Sequence, residues 1–186
     1  MAETTTSIPS VHPGASLRLP MSWSAYQALG ETRHTDYAAG LLIVNPPTRP
    51  HIRAALAVTV LLLAVCPPGY EVLLERGWRT GPERDRIPDV MVSELDAADD
   101  AILRSPPPLL VVEVTSPSTR DIDWRDKLAE YGEAGAGWYW IVDPDEPAVT
   151  VFEQRHGEMV EIQRIKEATN AVGPFPVRVD PATLTG

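Results

Sequence analysis

The chain has 186 residues, 44% hydrophobic and 23% charged, which is the size and balance of one globular domain and excludes wholesale disorder. Its net charge of −10 excludes a protein that coats nucleic acid through a general basic surface, while leaving open a local phosphate-handling site whose acids are offset by a divalent cation. The single cysteine, Cys66, excludes an intrachain disulfide, fits a reducing cytoplasm and, at the end of an apolar run, reads as a packing residue.

Residues 1–18, rich in Ser, Thr and Pro, read as a flexible tail without the apolar segment of a signal peptide, and residues 19–186 as a single domain. The stretch MSWSAYQALGE predicts a short helix with Ser22 as its N-cap. A strand follows at Leu41–Val44, closed by Asn45-Pro46-Pro47. Pro50 opens a helix over His51–Val65, and Pro67-Pro68-Gly69 stops it. Its run from Ala54 to Cys66 is too short for a bilayer, which needs about 20 residues. Being apolar nearly all round, the run predicts a helix covered on most sides.

Tyr70–Trp78 reads as a strand, residues 79–86 as a charged turn, and Ile87–Ser93 as another strand before an acidic loop. Leu109–Thr115, LLVVEVT, is nearly continuous in apolar residues, as expected of a central strand buried on both faces. Ser118 and Asp121 resemble a capping pair for a helix that ends at Gly135 and Gly137. WYWIVDP is a strand, AVTVFEQ and MVEIQRI pair as a hairpin across residues 155–157, and PFPVRVD closes the chain as a last strand. The order predicts an α/β (α+β) fold, a mixed sheet flanked by helices with a C-terminal hairpin.

Glu113 is the residue that calls for an explanation. By alternation it shares a face with Leu109 and Val111, and a buried carboxylate is costly unless it is paired or binds a metal. Its plain alternative is a salt bridge to an arginine. Asp89, after Pro88 at the start of another apolar strand, reads alone as a turn-making residue. Paired with Glu113 it supplies the oxygens that Mg²⁺ or Mn²⁺ takes. Lys127 shares a helix stripe with Trp124 and Tyr131, with Leu128 beside it, and so points towards the sheet. His51 reads alone as a capping or packing residue. No His/Cys cluster for zinc, no glycine-rich phosphate loop and no G-x-S-x-G elbow is present.

With these residues in place, the chain resembles the Uma-type restriction endonuclease family of the PD-(D/E)XK nuclease superfamily. The resemblance lies in GLLIVNPP followed by His51, IPDVMV, LLVVEVTSPSTRDID, DKLAEYGEAGAGWYWIVDP and FPVRVD. It implies a restriction-endonuclease-like core and metal-dependent cleavage of nucleic acid, DNA in the first place. Asp89 is then the aspartate of the PD motif and Glu113 the acid of the next strand. Thr115 stands where the superfamily lysine would fall, and the lysine role passes to Lys127. Asp89, Glu113 and the Thr115 carbonyl are the implied metal ligands. Asp36, where relatives carry Glu, together with His51, Thr119, Arg120 and Tyr131, is implied in support. A homodimer in the cytoplasm is expected, with the edge of the C-terminal hairpin as one surface for it and no membrane partner. The rival readings are a non-catalytic dimeric binding or scaffold protein that keeps the nuclease fold, and a hydrolase of another phosphate ester.

Overall fold

The computed structural model describes residues 16–30, 35–95 and 102–186. Most of the expected tail and the middle of the acidic loop lie outside the described residues. Leu17 and Arg18, read as tail, belong to strand β1 (Leu17–Pro20), which pairs antiparallel with β3 (Leu41–Val44). Helix α1 (Trp23–Ala28) forms as the sequence predicts, and the Ser22 hydroxyl accepts a hydrogen bond from the free Ala25 amide. Strand β2 (Thr35–Ala38) lies antiparallel to β3. Helix α2 (Arg49–Leu63) carries Pro50 in its first turn, where a missing N–H costs no hydrogen bond.

The stretch read as one strand over Tyr70–Trp78 is two strands in two sheets, β4 (Tyr70–Leu74) and β5 (Gly77–Gly81). At the break, Glu75 takes the left-handed conformation, φ +51°, and the chain turns from one sheet to the other. The expected charged turn instead extends β5 and forms β6 (Arg84–Arg86). Strands β7 (Val90–Glu94), β8 (Ile102–Leu103) and β9 (Leu110–Val114) follow. A π-helical turn (Ile122–Asp126) leads into α3 (Lys127–Ala134), which ends at Gly135 in the left-handed region, φ +88°. Ser118 does not cap this segment: the Thr119 hydroxyl accepts from the Ser116 amide instead. Strands β10 (Trp138–Asp143), β11 (Ala148–Arg155), β12 (Glu158–Ile165), β13 (Thr169–Ala171) and β14 (Val177–Val179) and helix α4 (Pro181–Thr185) complete the chain.

The strands form two mixed six-stranded sheets rather than one. Their orders are β1-β3-β2-β6-β5-β8 and β12-β11-β10-β9-β7-β4, and β13 and β14 pair apart from both. Within the second sheet β9 and β10 run parallel, while β7 lies antiparallel on the other side of β9. Strand β9 is buried throughout, as its apolar run predicts. Leu110, Val112 and Val114 pack with Ala54, Val58 and Leu62 of α2. Val111 packs on the opposite face with Trp78, Tyr131 and Tyr139. The period of two therefore turns Glu113 away from α2 and towards α3.

Among the described residues, helix α2 is covered on one side only, against expectation. Ala54, Val58 and Leu62 are fully buried, but Ile52, Leu56, Val60 and Leu63 are 53–60% exposed. The sheet and α4 reach only the inner face, so the apolar residues on the outer face meet solvent. No helix among the described residues is long and apolar enough to cross a membrane.

Candidate active site

Glu113 is almost completely buried in the middle of the sheet, and two side chains of α3 meet it there. Lys127 Nζ stands 2.8 Å from Oε1, and the Tyr131 hydroxyl donates to the same oxygen at 2.6 Å. Trp124, Lys127 and Tyr131 form the stripe their spacing predicts, with Leu128 packed beside it. The amine absent at Thr115 thus reaches Glu113 from the next helix.

Asp89 lies just ahead of β7 rather than inside it. Its Oδ2 accepts a hydrogen bond from the Val114 amide at 2.6 Å and faces His51 Nε2 at 3.1 Å. Asp89 is thereby fixed to the end of the Glu113 strand and to the first turn of α2. Asp36 accepts from the Ile87 amide at 2.8 Å through one oxygen; the other faces Arg86 at 3.3 Å and Lys127 Nζ at 3.9 Å. Arg86 is buried and holds Glu130 of α3 by two hydrogen bonds, of 2.6 and 2.8 Å. This bidentate pair joins β6 of the first sheet to the helix that carries Lys127.

Asp36, His51, Asp89, Glu113, Thr119 and Lys127 line one cavity of about 60 Å³. The other three residues singled out in the sequence stand outside it. Tyr131 is fully buried behind Glu113, to which its hydroxyl donates. Arg120 pairs with Asp143 at 2.8 Å. Thr115 is buried beside the cavity, and the residue of that strand end on its wall is Val114. Sequence reasoning missed Asn45, Glu75 and Asp123, which also line it. For Asp123 a signal was present: it precedes Lys127 by four residues, so both fall on one helix face.

Burial pushes the Glu113 carboxyl well above the usual carboxylate range, and the Lys127 charge pulls it back only in part. Burial opposes the Lys127 ammonium, but Glu113, Asp36, Asp123 and Asp89 together raise its pKa and keep it charged. Burial also raises Asp123, against the pull of Lys127 and the Thr119 hydroxyl. Burial and the Glu113 charge hold Tyr131 as a neutral phenol, able to donate.

Among the described residues five carboxylates, those of Asp36, Glu75, Asp89, Glu113 and Asp123, line the cavity with two basic side chains, His51 and Lys127, while Arg86 offsets Asp36 from outside it and Glu75 has a partner of its own. Such an excess takes up either protons or a cation. Among the described residues no three His, Cys, Asp or Glu side chains are gathered as a ready metal cluster. Mg²⁺ does not require one, because it commonly binds through one or two carboxylates and keeps several waters. A water needs roughly 10–15 Å³ of such space, so the cavity has room for several. The donor set of Asp89 and Glu113 therefore fits a hard divalent ion.

A mixed sheet packed between helices, with an acid from each of two adjacent strand ends and a lysine converging on one cavity, defines a restriction-endonuclease-like protein. The fold is similar to the "crystal structure of a putative nuclease belonging to DUF820 from Anabaena variabilis ATCC 29413", at a TM-score of 0.70 and 20% identity over 89% of this chain and 98% of that one. Residues 23–178 match the family Uma2, described as "Putative restriction endonuclease", and the chain belongs to that family. No curated protein matches it.

The contact between His51 and Asp89 has a measurable consequence. Burial works against a charged His51 ring, yet the Asp89 carboxylate outweighs it and the pKa rises above the ordinary value. A raised histidine contributes its stability below about pH 6.5 and loses it as pH climbs through the folded-state value. In an NMR titration His51 should titrate above 6.5 in the native chain and clearly lower in Asp89→Asn, where the carboxylate that opposes burial is gone. Equal values in the two proteins would mean that this contact does not exist in solution.

Proposed function

We propose that the protein is a metal-dependent endonuclease that hydrolyses phosphodiester bonds of DNA. The observation that carries this reading is the Lys127–Glu113 contact inside a cavity that also holds Asp89. An amine at 2.8 Å from the strand glutamate supplies what Thr115 lacks, and this weighs against a protein that keeps the fold for binding only. The family description supports a nucleic-acid substrate.

Asp89 and Glu113 would hold Mg²⁺ or Mn²⁺, together with a main-chain carbonyl at the end of β9. The sequence assigns that carbonyl to Thr115, and Val114 of the same strand end lines the cavity. Bound there, the ion would polarise the scissile phosphate and lower the pKa of a water. Tyr131 fixes the Glu113 carboxylate by its hydrogen bond, and His51 orients Asp89. Lys127, held charged by its acidic neighbours, directs its N–H groups at the negative charge that develops on the phosphate. Asp36 and Thr119 support this arrangement from the cavity wall, and Arg120, paired with Asp143 outside it, is free of the chemistry.

Plasmid and single-stranded DNA should be nicked by the native chain only with Mg²⁺ or Mn²⁺. Asp89→Ala and Glu113→Ala should fall to background, and Lys127→Met should be slower by about a hundredfold or more. Cleavage that is equal in all four proteins would remove the enzymatic reading.

We propose further that the chain works as a homodimer in the cytoplasm, where a lone thiol stays reduced. The outer face of α2, with Ile52, Leu56, Val60 and Leu63, suits a second copy better than the hairpin edge does. At a net charge of −10 two copies repel each other, and from Ala54 to Cys66 the chain carries no charge, so this stripe is where they can meet apolar to apolar. Sedimentation should show a dimer for the native chain and a monomer for Leu56→Glu. A native monomer at tens of micromolar would reject it.

A further inference from the structure

Arg86 is nearly inaccessible to solvent, 2% exposed, and no step described above uses it. It closes strand β6, just ahead of the segment that carries Asp89. Its guanidinium meets two acids at once. Nε and one terminal nitrogen grip Glu130 at 2.6 and 2.8 Å, and the other nitrogen reaches Asp36 Oδ2 at 3.3 Å. Those two acids flank Lys127. Glu130 follows it on α3 at i+3, so the two share a helix face, and Asp36 Oδ2 lies 3.9 Å from the Lys127 amine.

Stability alone does not account for this arrangement. The desolvation of a buried ion pair offsets much of its attraction, and apolar side chains of similar volume often serve as well or better. Helix α3 already has such contacts, with Tyr131 stacked on Trp78 and edge-on to Tyr139. What the guanidinium adds is direction. Its planar fork holds Glu130 by two bonds and still has an N–H for Asp36, which the point charge of a lysine would not reproduce. Arg86 also stands closer to Asp36 than Lys127 does, at 3.3 against 3.9 Å. It thereby satisfies a carboxylate that would otherwise draw the ammonium away from Glu113.

We propose that Arg86, braced by Glu130, is a positioning residue for Lys127: it occupies Asp36 and fixes the roll of α3, and so keeps the amine on Glu113 at the cavity. This inference rests on the reading of Lys127 as the amine that meets the phosphate. Arg86 touches neither substrate nor ion, and its effect passes through Lys127.

Two variants of the full-length chain test it. Arg86→Lys keeps the charge and loses the fork, and Glu130→Gln loosens the brace at an acid that solvent reaches in part. In each, kcat on a DNA oligonucleotide should fall about tenfold or more, because a small misplacement of a catalytic group is enough for that. KM, and the Mn²⁺ affinity read by calorimetry, should stay native. Neither substitution should slow Lys127→Met further, since the pair acts through the amine. A second readout needs neither metal nor cleavage. The chain has two lysines, Lys127 and Lys166, so the ¹⁵N signal of the buried Lys127 ammonium is readily assigned, and it should shift clearly in Glu130→Gln. Should Arg86→Lys not fold, Glu130→Gln carries the test alone. Native kcat in either folded variant, or losses that multiply with that of Lys127→Met, would overturn the proposal and leave the pair a structural one. If the native chain cleaves nothing, the endonuclease reading falls, and an unmoved Lys127 signal in Glu130→Gln then overturns the positioning role by itself.

Discussion

One buried ammonium organises the site. Lys127 is about as deeply buried as the acids around it, and it sits within 4 Å of Glu113, Asp123 and Asp36. Removing Lys127 would leave those carboxylates facing one another in a poorly solvated cavity. Removing the acids would strand a charged amine in the core. The two halves stand only together, so the strand that carries Glu113, the helix that carries Lys127 and the hairpin that carries Asp36 are held in one relation. The Arg86–Glu130 pair repeats this coupling one turn along α3 and ties in the first sheet.

The layering follows from the period of the central strand. Because β9 is buried on both faces, one set of its side chains belongs to the core under α2 and the other to the core under α3. An acid at an even position would face the aliphatic side, with Ala54, Val58 and Leu62, and would have no polar partner there. At position 113 it meets a tyrosine hydroxyl and an amine. The aromatic packing beneath α3, with Trp78 stacked on Tyr131 and Tyr139 against its edge, keeps the tyrosine aimed at the carboxylate.

Much of this was legible in the sequence. Strong signals were local: the apolar run of β9, Ser22 as an N-cap, the Pro and Gly stops around α2 and α3, and His156-Gly157 at the hairpin turn. The stripe of Trp124, Lys127 and Tyr131 placed the amine on the inward face. What the sequence hid was set by distant contacts. Nothing local says that Tyr70–Trp78 divides between two sheets at Glu75, because the switch is made by pairing partners elsewhere in the chain. The exposure of α2 was missed because an apolar helix shows how much it can bury and not what is there to cover it. Asp123 went unread although it precedes Lys127 by four residues, because its burial is set by the sheet packed against it and not by its neighbours in the chain. The Uma2 match fits the motifs read from the residues, while the roles of the individual side chains rest on geometry.

The claim at the centre is that the acids around Lys127 leave an unmet demand for positive charge which a divalent cation fills. Crystals grown with Mn²⁺ and measured at the manganese absorption edge test it most directly. The account predicts an anomalous peak between the Asp89 and Glu113 carboxylates, inside the cavity that Lys127 lines. A site with no peak there, and with Lys127 still seated on Glu113 at saturating Mn²⁺, would contradict it.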